Sequence, residues 1–280
     1  MSSNLDPQLY SDEDFRFRLG TIPGNVEDFF APSPESDSIL AERRSWLASD
    51  PARYRAILPA GVGIAAEFLN IASSWSALNE FAPKLQGSPQ PLLERFHILG
   101  GLLEPDTVLL APRSDGQFTV EAGCVCFPSS WRLTDKLGLT VSEVHGPVPN
   151  LNAALEVPID RLLAHLRPGK CVIRANWSVC QQPELNQHLD RNLPGLSNPV
   201  GPDQAWLRRE DQCLYVMPKT GGIVFGIRVT HLPWRSLQQI PAAARSVART
   251  LCTMPQEMLN YKRLTSAWEE LARLLTDPQK

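Results

Sequence analysis

FPSSWRLTDKLGLTVSEVHGPVP, residues 127–149, interrupts a run of strand-like sequence. Before it, Phe118, Val120, Ala122, Cys124 and Cys126 alternate with Thr119, Glu121 and Gly123, a half-buried strand pattern. Within it the alternation stops. Ser129 or Ser130 offers an N-cap, Gly138 a helix stop, and Pro147 and Pro149 hold the backbone around His145 extended. Arg132 and Lys136 stand four apart, so a helix here would put both cations on one stripe beside Leu133 and Leu137.

Upstream, residues 107–111 read as a strand, Arg113–Gly116 as a turn and residues 117–127 as the second arm of a hairpin. Downstream, residues 158–165 read as a short helix. Strand texture returns at 170–179, 206–216 and 223–230, the last two joined by MPKTGG, the strongest hairpin signal in the chain. The expected class is α+β: two strands, a helical insertion and three strands in a PAS-like antiparallel sheet, with helices flanking both ends. Residues 1–100 are expected as an N-terminal arm and helices, 101–235 as the core and 236–280 as C-terminal helices, together one compact unit.

In the flanks, residues 1–36 read as an arm anchored by Phe15, Phe17, Phe29 and Phe30. Residues 37–57 read as a helix broken at Asp50-Pro51, and 63–81 as a helix buried on more than one side. Residues 83–91 form a loop before a short helix ending near Leu99. Helices follow at 241–252 and 255–275, the latter with Leu264, Trp268, Leu271 and Leu275 as a docking face. GVGIAA at 61–66 matches a dinucleotide fingerprint formally. The preceding ARYRAILPA is amphipathic and ends in a proline, so a loop and helix start is the preferred reading.

At 280 residues, with 43% hydrophobic and 20% charged residues, the chain is long enough for a substantial core. A formal charge of −3 without blocks of like charge argues against nucleic acid or an anionic membrane as partner. The N-terminus has no signal-peptide pattern, so a soluble cytoplasmic protein is expected. Six cysteines include no CxxC pair, and Cys124 and Cys126 share one strand face and read as core. Twenty-five prolines imply many fixed corners.

No GxSxG, HExxH or Walker loop is present. Of the five histidines, His97, His165, His188 and His231 read as structural. His145 is either a rigidly held loop residue or an axial metal ligand, which needs such rigidity. Arg132 and Lys136 either form a solvated face or hold two carboxylates at a pocket edge. On the third strand Arg174 shares a face with Val172 and Asn176, and is either salt-bridged or aimed at an anion.

Residues 127–149, RANWS at 174–178, LRREDQCLYVMPKTGGIVFGIRV at 207–229 and LNYKRL at 259–264 resemble the haem-dependent oxidative N-demethylase family, whose best understood member is the haem subunit of dimethylamine monooxygenase. The resemblance runs from about Arg16 to Leu264. It implies a PAS-like domain holding haem b, non-covalently because CxxCH is absent, with dioxygen as co-substrate. A methylated amine would be oxidised to a carbinolamine that collapses to a shorter amine and formaldehyde. Electrons would come from NADPH through a separate FMN and iron–sulfur reductase, and the assembly would be a possible oligomer.

Carried onto this chain, the resemblance makes His145 the iron ligand, with Arg132, Lys136 and Arg174 at the propionates and Trp131 in the same cofactor-binding stretch. Glu210, Trp177 and Tyr215 become candidates to receive a cationic amine. Two features depart from the family pattern: Asp211 replaces an expected basic residue, and an acidic pair is split as Glu104-Pro105-Asp106. The rival readings are a non-catalytic haem or ligand sensor and a haem-free interaction subunit.

Overall fold

The structure is a computed structural model that describes residues 11–86 and 89–277. The first ten residues of the expected arm, and part of the 83–91 loop, lie outside the described residues.

The N-terminal region contains strand β1 (Ile22–Gly24), helices α1 (Val26–Phe30), α2 (Ser36–Ser49) and α3 (Pro51–Tyr54), strand β2 (Arg55–Ile57), and helices α4 (Val62–Ala72), α5 (Ala82–Leu85) and α6 (Leu92–Gly100). The hairpin β3 (Asp106–Pro112) and β4 (Phe118–Cys124) follows. Next come α7 (Val141–His145) and α8 (Leu151–His165), then β5 (Cys171–Cys180), β6 (Trp206–Val216) and β7 (Ile223–Pro233). Helices α9 (Trp234–Gln238), α10 (Pro241–Thr253), α11 (Gln256–Tyr261) and α12 (Trp268–Thr276) close the chain.

The described strands form one antiparallel sheet in the order β1-β5-β6-β7-β3-β4-β2. The α+β class and the helical insertion between β4 and β5 are as expected. At the β6–β7 turn, Gly221 takes φ +68, Met217 N–H donates to the Gly222 carbonyl at 2.8 Å and Gly221 N–H donates to Met217 at 3.1 Å. Only a residue without a Cβ adopts that φ readily, so the paired glycines fix the register of the two longest strands.

Several boundaries differ from expectation for local physical reasons. Asp50 caps α3 by accepting from Arg53 N–H at 3.3 Å, but residues 55–57 leave the helix to pair with β4 as an edge strand. The expected helix over 63–81 ends at Ala72, where the Ser73 and Ser74 hydroxyls turn back onto the Asn70 and Ile71 carbonyls at 2.8 and 2.7 Å. The 255–275 helix breaks at Arg263, φ +57, into α11 and α12; Leu264, Leu271 and Leu275 still pack into the C-terminal core. The 158–165 helix starts earlier, at Leu151, and carries Pro158 within it.

No helix forms over 131–138. Gly138 N–H donates to the Val120 carbonyl at 2.7 Å and Val120 N–H donates to the Leu139 carbonyl at 2.9 Å, so the segment is laid along β4 as turns. The helix forms later. Thr140 and Glu143 make a reciprocal capping box that starts α7, and His145 is its last residue, so its backbone is helical rather than extended.

One face of the sheet is covered by the N-terminal helices. Phe30, Phe68, Leu99, Leu109, Ala122, Cys124, Cys126 and Tyr215 pack in that core. The other face carries Val108, Leu110, Val120 and Leu214, beneath α7 and α8. No described helix is long and apolar enough to cross a membrane. Gly61 lies against the Glu121 carbonyl of β4 and starts no phosphate loop: the fingerprint is a turn into α4, as the sequence reading preferred.

Candidate functional site

Between the second sheet face and the insertion lies a cavity of about 470 Å³. Its floor follows from strand alternation. Glu210, Gln212 and Leu214 on β6, Phe225 and Ile227 on β7, and Val108 and Leu110 on β3 point into it. Its roof follows from helical spacing: Leu151, Leu155, Ile159 and Leu163 fall four apart on α8 and line it as one stripe. The arm closes a third side. Phe15 and Phe17 pack edge to face at 5.4 Å, while Phe15 N–H donates to Thr253 Oγ1 at 2.7 Å and Arg249 holds Asp14 at 2.9 Å.

His145 lines the cavity from the end of α7. Its Nδ1 is buried and makes no hydrogen bond among the described residues. Burial lowers its pKa, and the charges of Arg174 and Lys136 lower it further. The imidazole is therefore neutral with a nitrogen to spare, the state a metal ligand requires. Lys136 also lines the cavity, with Nζ donating to the Val144 carbonyl at 3.4 Å near the end of α7, and Arg174 enters from β5. Trp131 is wedged between two core clusters and lines the cavity as well.

Arg132 is corrected. With no helix at 131–138, the four-residue spacing does not align it with Lys136, and it turns outward to Asp190 at 2.6 Å and Asp135 at 3.4 Å. Tyr215 is corrected too: five positions from Glu210 on one strand, it faces the opposite side and is buried in the N-terminal core. Glu210 and Trp177 do line the cavity. Glu210 accepts hydrogen bonds from the Ser129 hydroxyl and, at 3.0 Å, from Gln212 Nε2.

The departures noted in sequence lie elsewhere. Asp211 pairs with Arg209 at 2.6 Å beside a second hollow on the far face. Glu104 binds Arg228, and Asp106 binds Arg43, so the split acidic pair is structural. Tyr261 and Lys262, which carry no motif of their own, also line the cavity. The available signal was spacing: Lys262 stands four residues after Met258, and Met258 lines the cavity as well.

The fold and site define an α+β protein whose cavity, between the antiparallel sheet and the helical insertion, brings together Lys136, Arg174 and a His145 imidazole whose Nδ1 has no partner among the described residues. The chain belongs to the family described as haem-dependent oxidative N-demethylase, alpha subunit-like, whose family model matches residues 40–272.

Proposed function

We propose that this chain is the haem-carrying subunit of an oxidative N-demethylase acting on a methylated amine. The observation that carries the reading is the convergence of His145, Lys136 and Arg174 on one apolar cavity. These residues suit the group. A neutral imidazole with a buried, unpaired nitrogen fits an iron, two cations fit two carboxylates, and the α8 stripe with Leu214 and Phe225 fits a flat apolar macrocycle. The β5-β6-β7-β3-β4 order around a helical insertion supports the PAS-like assignment.

When bound, haem b supplies dioxygen activation, one oxygen atom going to the N-methyl carbon and the other to water with two electrons and two protons, so that formaldehyde and the shorter amine are released. The protein's own groups do the rest. His145 and the cations hold and orient the cofactor, while the arm and α8 limit water. Glu210 offers an acceptor to the amine, and Trp177 lines the same cavity. In this reading the electrons come from NADPH through the FMN and iron–sulfur centre of a partner reductase; the alpha-subunit description supports only that the enzyme has further subunits.

The test is the absorption spectrum of the purified protein supplied with haem. A Soret band that is lost in His145→Ala supports the reading; no band in the wild type, or an unchanged band in the variant, overturns the ligand assignment. Formaldehyde release from methylated amines with a surrogate reductant then tests the activity.

A further inference from the structure

Glu210 and Lys262 reach the same cavity from different elements, β6 and the residue that follows α11. Each is held by neighbours that leave bonding capacity over. The two Glu210 oxygens take one hydrogen bond each, from Ser129 Oγ and from Gln212 Nε2. Ser129 Oγ is itself fixed by Arg208 Nε at 2.7 Å, and Arg208 is wholly buried. Lys262 Nζ donates to the Trp177 carbonyl at 3.1 Å, using one of its three protons.

The two groups sense one another. Burial lowers the Lys262 pKa and Glu210 opposes that fall, and Glu210 also adds to the rise that burial causes in Tyr261. Among the described residues, however, no ion pair joins them. A carboxylate and an ammonium that are half-buried in one cavity without meeting each keep unmet bonding capacity, and a ligand of complementary charge answers both. Tyr261 lines the same cavity, and an aromatic ring there suits a methylated ammonium.

We propose that this pair selects a zwitterionic substrate, an N-methylated amino acid, with its ammonium on Glu210 and its carboxylate on Lys262. The proposal rests on the N-demethylase reading for the fate of the substrate, and on the cavity alone for its charge. Lys262 is then the residue that separates an amino acid from a simple alkylamine. A bare dimethylammonium satisfies Glu210 and leaves Lys262 unanswered.

The probes are N,N-dimethylglycine, dimethylamine and acetate, titrated into the full chain by calorimetry without haem and by Soret perturbation with it. N,N-dimethylglycine is expected to bind at least about tenfold tighter than dimethylamine, the worth of one charge-assisted hydrogen bond. Lys262→Met is expected to abolish that ratio while leaving dimethylamine within about threefold of wild type, Lys262→Arg to restore part of it, and Glu210→Gln to weaken both amines. Equal or tighter binding of dimethylamine, a ratio unmoved by Lys262→Met, or no binding of any probe overturns the proposal. A calorimetric preference without a Soret band supports it and removes the haem reading; a Soret band without the preference does the reverse.

Discussion

Arg43 and Asp106 meet at 2.5 Å with neither side chain reaching solvent. Arg43 also donates to the Cys124 carbonyl at 3.0 Å, and the Asp106 carboxylate accepts the backbone N–H groups of Cys126 at 2.7 Å and Phe127 at 2.9 Å. The pair ties α2 to the hairpin and fixes where the chain leaves the sheet for the insertion. Arg43→Met removes the cation and strands a buried carboxylate, at a cost of about 3–5 kcal/mol. Urea unfolding checks this: a loss under about 1 kcal/mol would show that backbone donors alone satisfy Asp106.

The two glycines of the 61–66 fingerprint should respond in opposite senses. A Cβ on Gly61 would lie 2.5 Å from the Glu121 carbonyl oxygen of β4, whereas one on Gly63 would meet nothing within 4 Å. Gly61→Ala is expected to destabilise by about 1–3 kcal/mol through displaced backbone. Gly63→Ala, near the start of α4, should be neutral or stabilise by up to about 1 kcal/mol. Thermal melting of the two variants checks this packing role, and a Gly61→Ala melting temperature equal to that of wild type would contradict it.

Strands were legible where the signal was local. The expected 206–216 strand matches β6, because alternation and the MPKTGG turn are written in adjacent residues. Edge strands β1 and β2, three residues each, were not, since they exist only through pairing with β5 and β4 far along the chain. His145, Lys136 and Arg174 stand out by residue type and do line one cavity, but His145 ends a helix and Lys136 sits in turns, so neither an extended backbone nor a helical stripe places them there. Glu210 and Tyr215 stand an odd number of residues apart on β6, so alternation alone puts them on opposite faces. Which face met the cavity depended on where α7 and α8 dock.

His231 makes stability depend on pH. Its Nε2 accepts from Arg208 Nη1 at 3.3 Å, and burial, aided by the Arg208 charge, depresses its pKa to about 3. In the unfolded chain a histidine titrates near 6.5. Between those values the unfolded state holds a proton that the folded state does not, so stability falls as pH falls, by about 2 kcal/mol from this group at pH 5. His231→Gln keeps an acceptor for Arg208 and should flatten the urea midpoint between pH 7 and pH 5 relative to wild type. An unchanged slope would place the acid sensitivity in His97, His145 and His188, whose pKa values burial also lowers.

Arg174 and Asp211 lie one register position apart on neighbouring strands, Arg174 opposite Gln212 and Ala175 opposite Asp211, so their side chains take opposite faces and should behave differently. Asp211 is held by Arg209 on the far face, so Asp211→Asn is expected to leave haem affinity and amine binding within about twofold of wild type. Arg174 lines the cavity and its charge helps keep His145 neutral. Arg174→Gln removes a charge-assisted partner for a carboxylate and should weaken haem binding by about tenfold or more, while letting the His145 pKa rise. The acid limb of haem binding would then move to higher pH, because protonation of the imidazole competes with ligation over a wider range. Haem titrations between pH 5 and pH 8 read both effects, and an Asp211→Asn shift as large as that of Arg174→Gln would contradict the assignment of Asp211 to the opposite face.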